Sequence, residues 1–339
     1  MSNATRKDVA KRAGVSVATV SNVLNNPHIV REDTVVKIKV AMEELDYRPN
    51  LVARSLITNR SMQLGILLED IRNPFYSEIV EHFEAAAEQK GYFVSICPGL
   101  TKVDRYFDNF ISRNLDGIFV AALPHHFETE KLYSLVNKGI KIVVSGNINA
   151  DFRLVSSIEH DFKKAMETAL TYLRSLGHEH IAYLSGLAGE FSFDERCSSY
   201  IELTDRLKLP CGQNLLVDGC YPYRTDPKTG YEQARRLIDM NSIFTAVICG
   251  NDLMAIGAIR AFEEAGLRVP DDVSVMGFDG IEIGQYIRRP LTTMSVNREF
   301  FGRKVFDLLY NNIQNDVTGF FRNLLSLHEG ESTAPRREI

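Results

Sequence analysis

The sequence predicts an α/β protein: an N-terminal all-α headpiece with a short hinge helix, then two doubly wound parallel-sheet lobes. Three observations predict it. A helix, a glycine turn and a second helix fill the first 25 residues, and from residue 64 short apolar runs of strand length alternate with amphipathic helical runs. The charge is also segregated. Residues 1–60 carry ten Lys and Arg against six Asp and Glu, a net +4, while 29 against 38 leave −9 for the remainder. A basic headpiece on an acidic body suits a chain of which one end meets phosphate.

In the headpiece, Thr5 is placed to cap a first helix, with Asp8 three residues on as an imperfect capping-box partner. Val9, Ala10 and Ala13 fall on one stripe, and Gly14 follows where a helix end favours a left-handed residue. Ser16 caps a second helix whose inner side is Val20, Val23 and Leu24. Its outer side presents Val17, Ala18, Ser21, Asn22 and Asn25, with Ser16 and Thr19 beside them. Small apolar side chains meet thymine methyls, and Asn bonds adenine bidentately in a major groove. The outline is a helix-turn-helix, although an ordinary helical hairpin fits the outline equally well. A third helix over 32–45 has Val35, Val36, Ile38, Val40, Met42 and Leu45 as its apolar set. Pro49 then breaks the chain, and Asn50 can cap one more helix, 51–56. That segment is too short to be stable alone and too apolar for a plain linker, so it is expected to fold on binding.

The lobes follow from the alternation. Apolar strands are expected at 64–69, 92–97, 117–121 and 140–144, then at 181–185, 214–217, 245–249 and 273–277, with helices between them. Ligands on such sheets sit beyond the carboxyl ends of the strands, and between two lobes that means the cleft. The residues following the strands are Asn73, Phe75 and Tyr76, then Glu190, Ser192 and Arg196, then Asn251 with Asp252, and Asp279. Aromatic faces with convergent Asn, Asp and Arg would stack a polyhydroxylated ring and bond its hydroxyls. Taken one at a time, an Asp or Arg at a strand end is more often a helix cap or a surface ion pair.

Composition and motifs exclude other classes. The five cysteines show no metal-ligand spacing and fit a reduced, cytosolic protein. No apolar run is long enough to span a membrane and no leader precedes the headpiece, so a cytoplasmic location is expected. There is no Gly-x-Ser-x-Gly, phosphate loop or His-Glu-x-x-His, so no catalytic residue is assigned. His125-His126 and His178-x-His180 have some metal-ligand character, but a structural role is favoured, and neither metal nor cofactor is expected.

Asp8-Val-Ala-x-x-Ala13-Gly14-Val-Ser16-x-x-Thr19-Val-Ser21-x-Val-Leu-Asn25, followed by Tyr47-x-Pro49-Asn50-x-x-Ala53-x-Ser55-Leu56, resembles the lactose/galactose repressor family of bacterial transcription regulators. The likeness runs nearly to the C-terminus. It implies a second helix that reads the major groove and a hinge helix, carrying Asn50 and Ala53, that enters the minor groove as a dimer pair. A leucine at the position of Leu56 would wedge a base step open. Many members carry Arg where this chain has Asn22, which shifts the expected preference from guanine toward adenine.

The lobes are similar to the family's effector domains and to periplasmic sugar-binding proteins. Asn73-Pro74-Phe75-Tyr76, Arg196, Gly250-Asn251-Asp252 and Gly277-Phe278-Asp279 match effector-binding motifs. Ser145-Gly146 replaces the usual Asp-Arg, and Asp161-Phe162-Lys163-Lys164-Ala165 replaces Asp-Asn-x-x-Gly. Glu190 stands where purine-responsive members carry Arg, which disfavours a purine. The 219–230 stretch is longer than usual; an aromatic from it, Tyr221, could cover the pocket, and a plain surface loop is the alternative.

The resemblance implies residues 1–47 as the DNA-binding domain and 48–61 as hinge helix and linker. It implies 62–161 and 162–328 as the two lobes, with crossovers back to the first, and 329–339 as a tail. The expected protein is a repressor of a carbohydrate-utilisation operon, a homodimer on double-stranded operator DNA, modulated by a sugar or sugar derivative. The alternatives are a regulator answering to a protein partner or phosphate ester, and a sugar-binding protein without regulatory role.

Overall fold

The computed structural model describes residues 4–25, 27–48, 60–123, 127–146, 148, 150–186, 194–210, 215–219 and 224–337. They belong to two compact units, 1–61 and 62–339.

The first unit holds α1 (Arg6–Ala13), α2 (Val17–Asn25) and α3 (Glu32–Glu44). The capping box at α1 is complete: the Thr5 amide donates to the Asp8 carboxylate at 2.8 Å, and the Asp8 amide donates to Thr5 Oγ1 at 3.4 Å. Gly14 ends α1 at φ 68°, a left-handed turn that a side chain would strain. Ser16 Oγ accepts from the Thr19 amide at 3.0 Å, which starts α2. Val9, Ala10, Val20, Val23, Ile38, Ala41 and Tyr47 form the core of this unit.

The third helix differs from its expected apolar set. Val36 and Val40 are 55% and 47% exposed, while Ile38 and Ala41 are buried, with Val35, Met42 and Leu45 packed beside them. Positions four apart share a face, so 38, 41, 42 and 45 face the core and 36 and 40 face away from it. A β-branched residue on a helix says nothing of which side it takes.

The second unit contains two six-stranded sheets. The first is built from β1 (Gln63–Leu68), β2 (Phe93–Pro98), β3 (Gly117–Val120), β4 (Lys141–Ser145), β5 (Ser156–His160) and β11 (Phe320–Asn323), in the order β11-β5-β4-β3-β1-β2, all parallel. The second has β6 (Ile181–Leu184), β7 (Leu216–Val217), β8 (Ala246–Cys249), β9 (Ser274–Asp279), β10 (Thr292–Ser295) and β12 (Ser326–His328), in the order β12-β10-β9-β8-β6-β7. It is parallel except for the edge strand β12.

Four strands escape the sequence reading: β5, β10, β11 and β12. Ser156-Ser157-Ile158-Glu159-His160 and Thr292-Thr293-Met294-Ser295 carry too little apolar character to look like buried strands, yet Ser156, Ser157, Thr292 and Thr293 are 0–1% exposed.

The helices are α4 (Pro74–Gln89), α5 (Val103–Ser112), α6 (Glu130–Val136), α7 (Phe162–Ser175), α8 (Glu195–Arg206), α9 (Pro227–Asp239), α10 (Asp252–Glu264) and α11 (Arg298–Asn315). The chain passes between lobes three times. It leaves the first sheet after β5 to form α7 on the second, returns after β10 so that α11 packs with Phe83 and Leu64 of the first, and goes back from β11 to β12. Residues 329–337, set apart as a tail in the sequence, lie along β9 and β10. Ser332 Oγ donates to the Val275 carbonyl at 2.6 Å and accepts from the Thr292 amide at 2.9 Å. Among the described residues no helix is long and apolar enough to cross a membrane.

Candidate functional site

Two surfaces carry the residues singled out by sequence. On the first unit, the outer side of α2 shows Val17 at 40% exposure, with Ala18 and Asn22 exposed and Thr19 and Ser21 half-buried. The hydroxyls of Ser16 and Thr19 bond one another at 2.8 Å, so both are held at the helix start. Lys7 and Lys11 are exposed on α1, and Arg12 is drawn to Glu44 of α3 at 2.7 Å. The side chain of Asn25, and Asn50, Ala53, Leu56 and the whole expected hinge helix, lie outside the described residues.

The second surface lies at the carboxyl ends of the strands. Glu69 follows β1 directly, and the Tyr76 hydroxyl donates to its Oε2 at 3.4 Å. Phe75 meets Tyr76 edge-on at 5.4 Å and lies 6.1 Å from the ring of His160, the last residue of β5. His160 stacks on Phe301 at 4.6 Å and lies 5.3 Å from Phe162 at the start of α7. The Arg196 guanidinium sits over Phe162, 4.9 Å from the ring centre. Its Nη1 donates to the Gly250 carbonyl at 2.7 Å and its Nε to Asp194 at 3.3 Å. Asp279 ends β9 at 7% exposure. A continuous row of aromatic and charged groups thus runs from the first lobe to the second.

Burial governs the electrostatics of this row. It pushes the Glu69 carboxyl up to about 7, against the opposing pull of Arg196 and the Tyr76 hydroxyl. It pushes Asp279 up to about 7 as well, with Arg196 and Arg298 opposing and Glu69 adding to the rise. Burial, helped by the Arg196 charge, takes His160 down to about 3, so the ring is neutral and serves as an apolar wall.

The remaining predicted residues hold the scaffold. Asn73 caps α4 by accepting from the Phe75 amide at 3.0 Å. Asn251 caps α10, accepting from the Met254 amide at 2.9 Å, and donates to the Thr225 carbonyl at 3.0 Å; it is 2% exposed. Asp252 is wholly buried and accepts from the Ile281 amide at 2.8 Å and the Thr293 hydroxyl at 2.6 Å, which ties α10 to the turn after β9 and to β10. Glu190, Ser192 and Tyr221 lie outside the described residues.

Sequence reasoning missed Glu69, His160, Phe162 and Arg298 as members of the row. Glu69 had a signal, a single charge immediately after five strand residues. His160 had none, since its strand was itself unrecognised. Among the described residues no group of three or more His, Cys, Asp or Glu is arranged to hold a metal.

Comparison with known proteins bears on both surfaces. Residues 5–50 match the family model described as bacterial regulatory proteins, lacI family, and residues 170–333 match the periplasmic binding protein-like domain. The HTH-type transcriptional repressor PurR of Actinobacillus pleuropneumoniae serotype 3 (strain JL03) is 31% identical over 328 residues, 96% of each chain. The lac repressor dimer bound to operator and the anti-inducer ONPF superposes with a TM-score of 0.82 at 26% identity, over 98% of this chain and 100% of that one. The complex of the transcriptional regulator CelR with cellobiose gives 0.72 at 25% identity, over 97% and 99%.

Proposed function

Since the chain belongs to the lacI family of bacterial regulatory proteins, DNA-binding transcription repressors with a periplasmic-binding-protein-like effector domain rather than enzymes, we propose that it represses a carbohydrate-utilisation operon and that a sugar-type ligand in the cleft between the lobes sets its affinity for the operator. The observation that carries this reading is the row itself. Phe75 and Tyr76 come from one lobe and Arg196 and Asp279 from the other, so a ring gripped by all four draws the lobes together. CelR, with cellobiose bound, supports the sugar class. Glu190 stands against a purine.

On DNA, Val17, Ala18 and Asn22 read bases in the major groove, while Ser16, Thr19, Ser21 and Asn25 fix the helix against phosphate and neighbouring bases. Asn50, Ala53 and Leu56 act in the minor groove, paired across a homodimer of the kind formed by the lac repressor on its operator. The repressor works in the cytoplasm. Glu190, Ser192 and Tyr221 are assigned as effector contacts from the sequence, and Asn73 and Asn251 act by holding the strand-end turns that frame the cleft.

The test is operator binding by fluorescence anisotropy, on a site selected from random DNA, with a panel of sugars plus hypoxanthine and guanine. A sugar should shift operator affinity, and Arg196→Ala should lose that shift while unliganded binding persists. One charge-assisted bond lost is about 1.5–3 kcal/mol, roughly ten- to a hundredfold in ligand affinity. A response to nucleobases alone, or a sugar response unchanged in Arg196→Ala, would overturn the reading.

A further inference from the structure

Among the described residues the cleft contains more acid than base once its internal pairs are struck out. Arg196 is held by Asp194, itself 6% exposed, and by the Gly250 carbonyl. Arg298 pairs with Glu78 and donates through Nη1 to the carbonyls of Asp279 at 3.0 Å and Val296 at 3.1 Å. Asp252 is bonded to Ile281 and Thr293, Asp226 caps α9 by accepting from the Thr229 amide at 2.8 Å, and Asp70 is bound by Arg72.

Among the described residues two carboxyls remain, one on each lobe. Neither Glu69 nor Asp279 makes an ion pair with any described residue. Asp279 is 7% exposed as a residue, and its carboxylate accepts no hydrogen bond from them. Its backbone stands at φ 112°, in a region that a residue with a Cβ enters only under strain, and such strain collects where a ligand or a switch uses it.

We infer that the effector carries a protonated amine, an amino sugar in place of a neutral one, with its ammonium taken by Glu69 of the first lobe and Asp279 of the second. This rests on the cleft being the effector site. An ammonium supplies an ion-pair partner, which both carboxyls lack among the described residues, and donors, which Asp279 lacks, whereas a hydroxyl supplies donors only. It also couples binding to closure, because the two carboxyls belong to different lobes and repel until a cation joins them.

The charged and titratable neighbours facing Glu69 are Arg196, Asp70, Asp226 and the Tyr76 hydroxyl; those facing Asp279 are Arg196, Arg298, Glu69 and Asp252. With both carboxyls pushed up to about 7, an ammonium competes with protons for them. Its affinity therefore rises as pH climbs through that value.

The experiment is calorimetric titration of the full chain with 6-amino-6-deoxyglucose, glucosamine and glucose. At least one amine should bind about tenfold tighter than glucose, the worth of one charge-assisted bond. The affinity of 6-amino-6-deoxyglucose should also increase severalfold between about pH 6 and about pH 7.5. Glu69→Gln should bring amine and glucose to within about threefold of one another. Cooperative thermal unfolding reports that this variant folds, and Asp279→Asn gives the same comparison should it not. Glucose binding as tightly as the amines, a preference that survives in both variants, or no binding by any of the three overturns the inference. If glucose shifts operator affinity and the amines do not, the sugar-effector reading stands and this one alone falls.

Discussion

Glu69 shows how one side chain sets a pH dependence for the whole domain. A glutamate ordinarily titrates at 4.5, and burial takes this one to about 7. Between those values the folded chain holds a proton that the unfolded chain releases. The stability contributed by the raised value is therefore present below 4.5 and is lost as pH rises through 7. Above that, the buried charge costs up to about 3 kcal/mol, the shift multiplied by the free energy per pKa unit. Glu69→Gln removes the charge and nearly preserves the shape. It should raise the melting temperature by a few degrees at about pH 8 and hardly at all at about pH 4.5. Calorimetry at the two pH values checks it, and an equal gain at both would mean that Glu69 is solvated. The caps Thr5, Ser16, Asn73 and Asn251 are the opposite case at this scale, local bonds whose partners lie two or three residues away.

At the scale of elements, α9 and α10 cross closely through a glycine on each helix. A Cβ on Gly257 would stand 1.8 Å from the Pro227 carbonyl oxygen, and one on Gly230 would stand 2.0 Å from that of Met254. Both obstacles are backbone, so no rotamer relieves them. Ala is favoured over Gly inside a helix by about 1 kcal/mol, but a forced separation of packed helices costs typically 1–3 kcal/mol and here meets backbone on both sides. The clash wins. Gly257→Ala should lower the melting temperature of the effector unit by several degrees while the headpiece, a separate unit, unfolds as before. A thermogram indistinguishable from the parent would show that the helices can part freely.

For the whole molecule, regulation requires that the cleft and the DNA surface share one equilibrium. The chain that joins them carries Leu56, outside the described residues, within a segment too short to hold a helix alone. On the proposal that this segment folds at the operator, its ordering costs about 1–2 kcal/mol per residue, so a coupling of about 1–3 kcal/mol from the lobes is enough to regulate it. Leu56→Ala should then lose operator affinity and DNA bending, read by gel mobility on permuted sites, while its affinity for the effector is unchanged. A variant that binds and bends the operator like the parent would leave the major-groove helix as the sole reader.

The sequence by itself determined whatever depends on neighbours along the chain. Caps, the Gly14 turn, the inner stripe of α2 and the alternation of apolar strands with helices all repeat within a few residues, and the charge segregation is a plain count. Family motifs extended this to Arg196 and Asp279, whose surroundings no local pattern describes. Tertiary structure alone decided the rest. It recruited β5 and β10, polar strands that become buried only because neighbouring strands and helices enclose them, and it added β11 and β12 as largely exposed edge strands. It turned Val36 and Val40 away from the core. It also brought Glu69, 127 positions before Arg196 in the chain, into the field of that arginine and of Asp279. An unshared buried charge is a property of what surrounds it in space, and the order of residues does not record that.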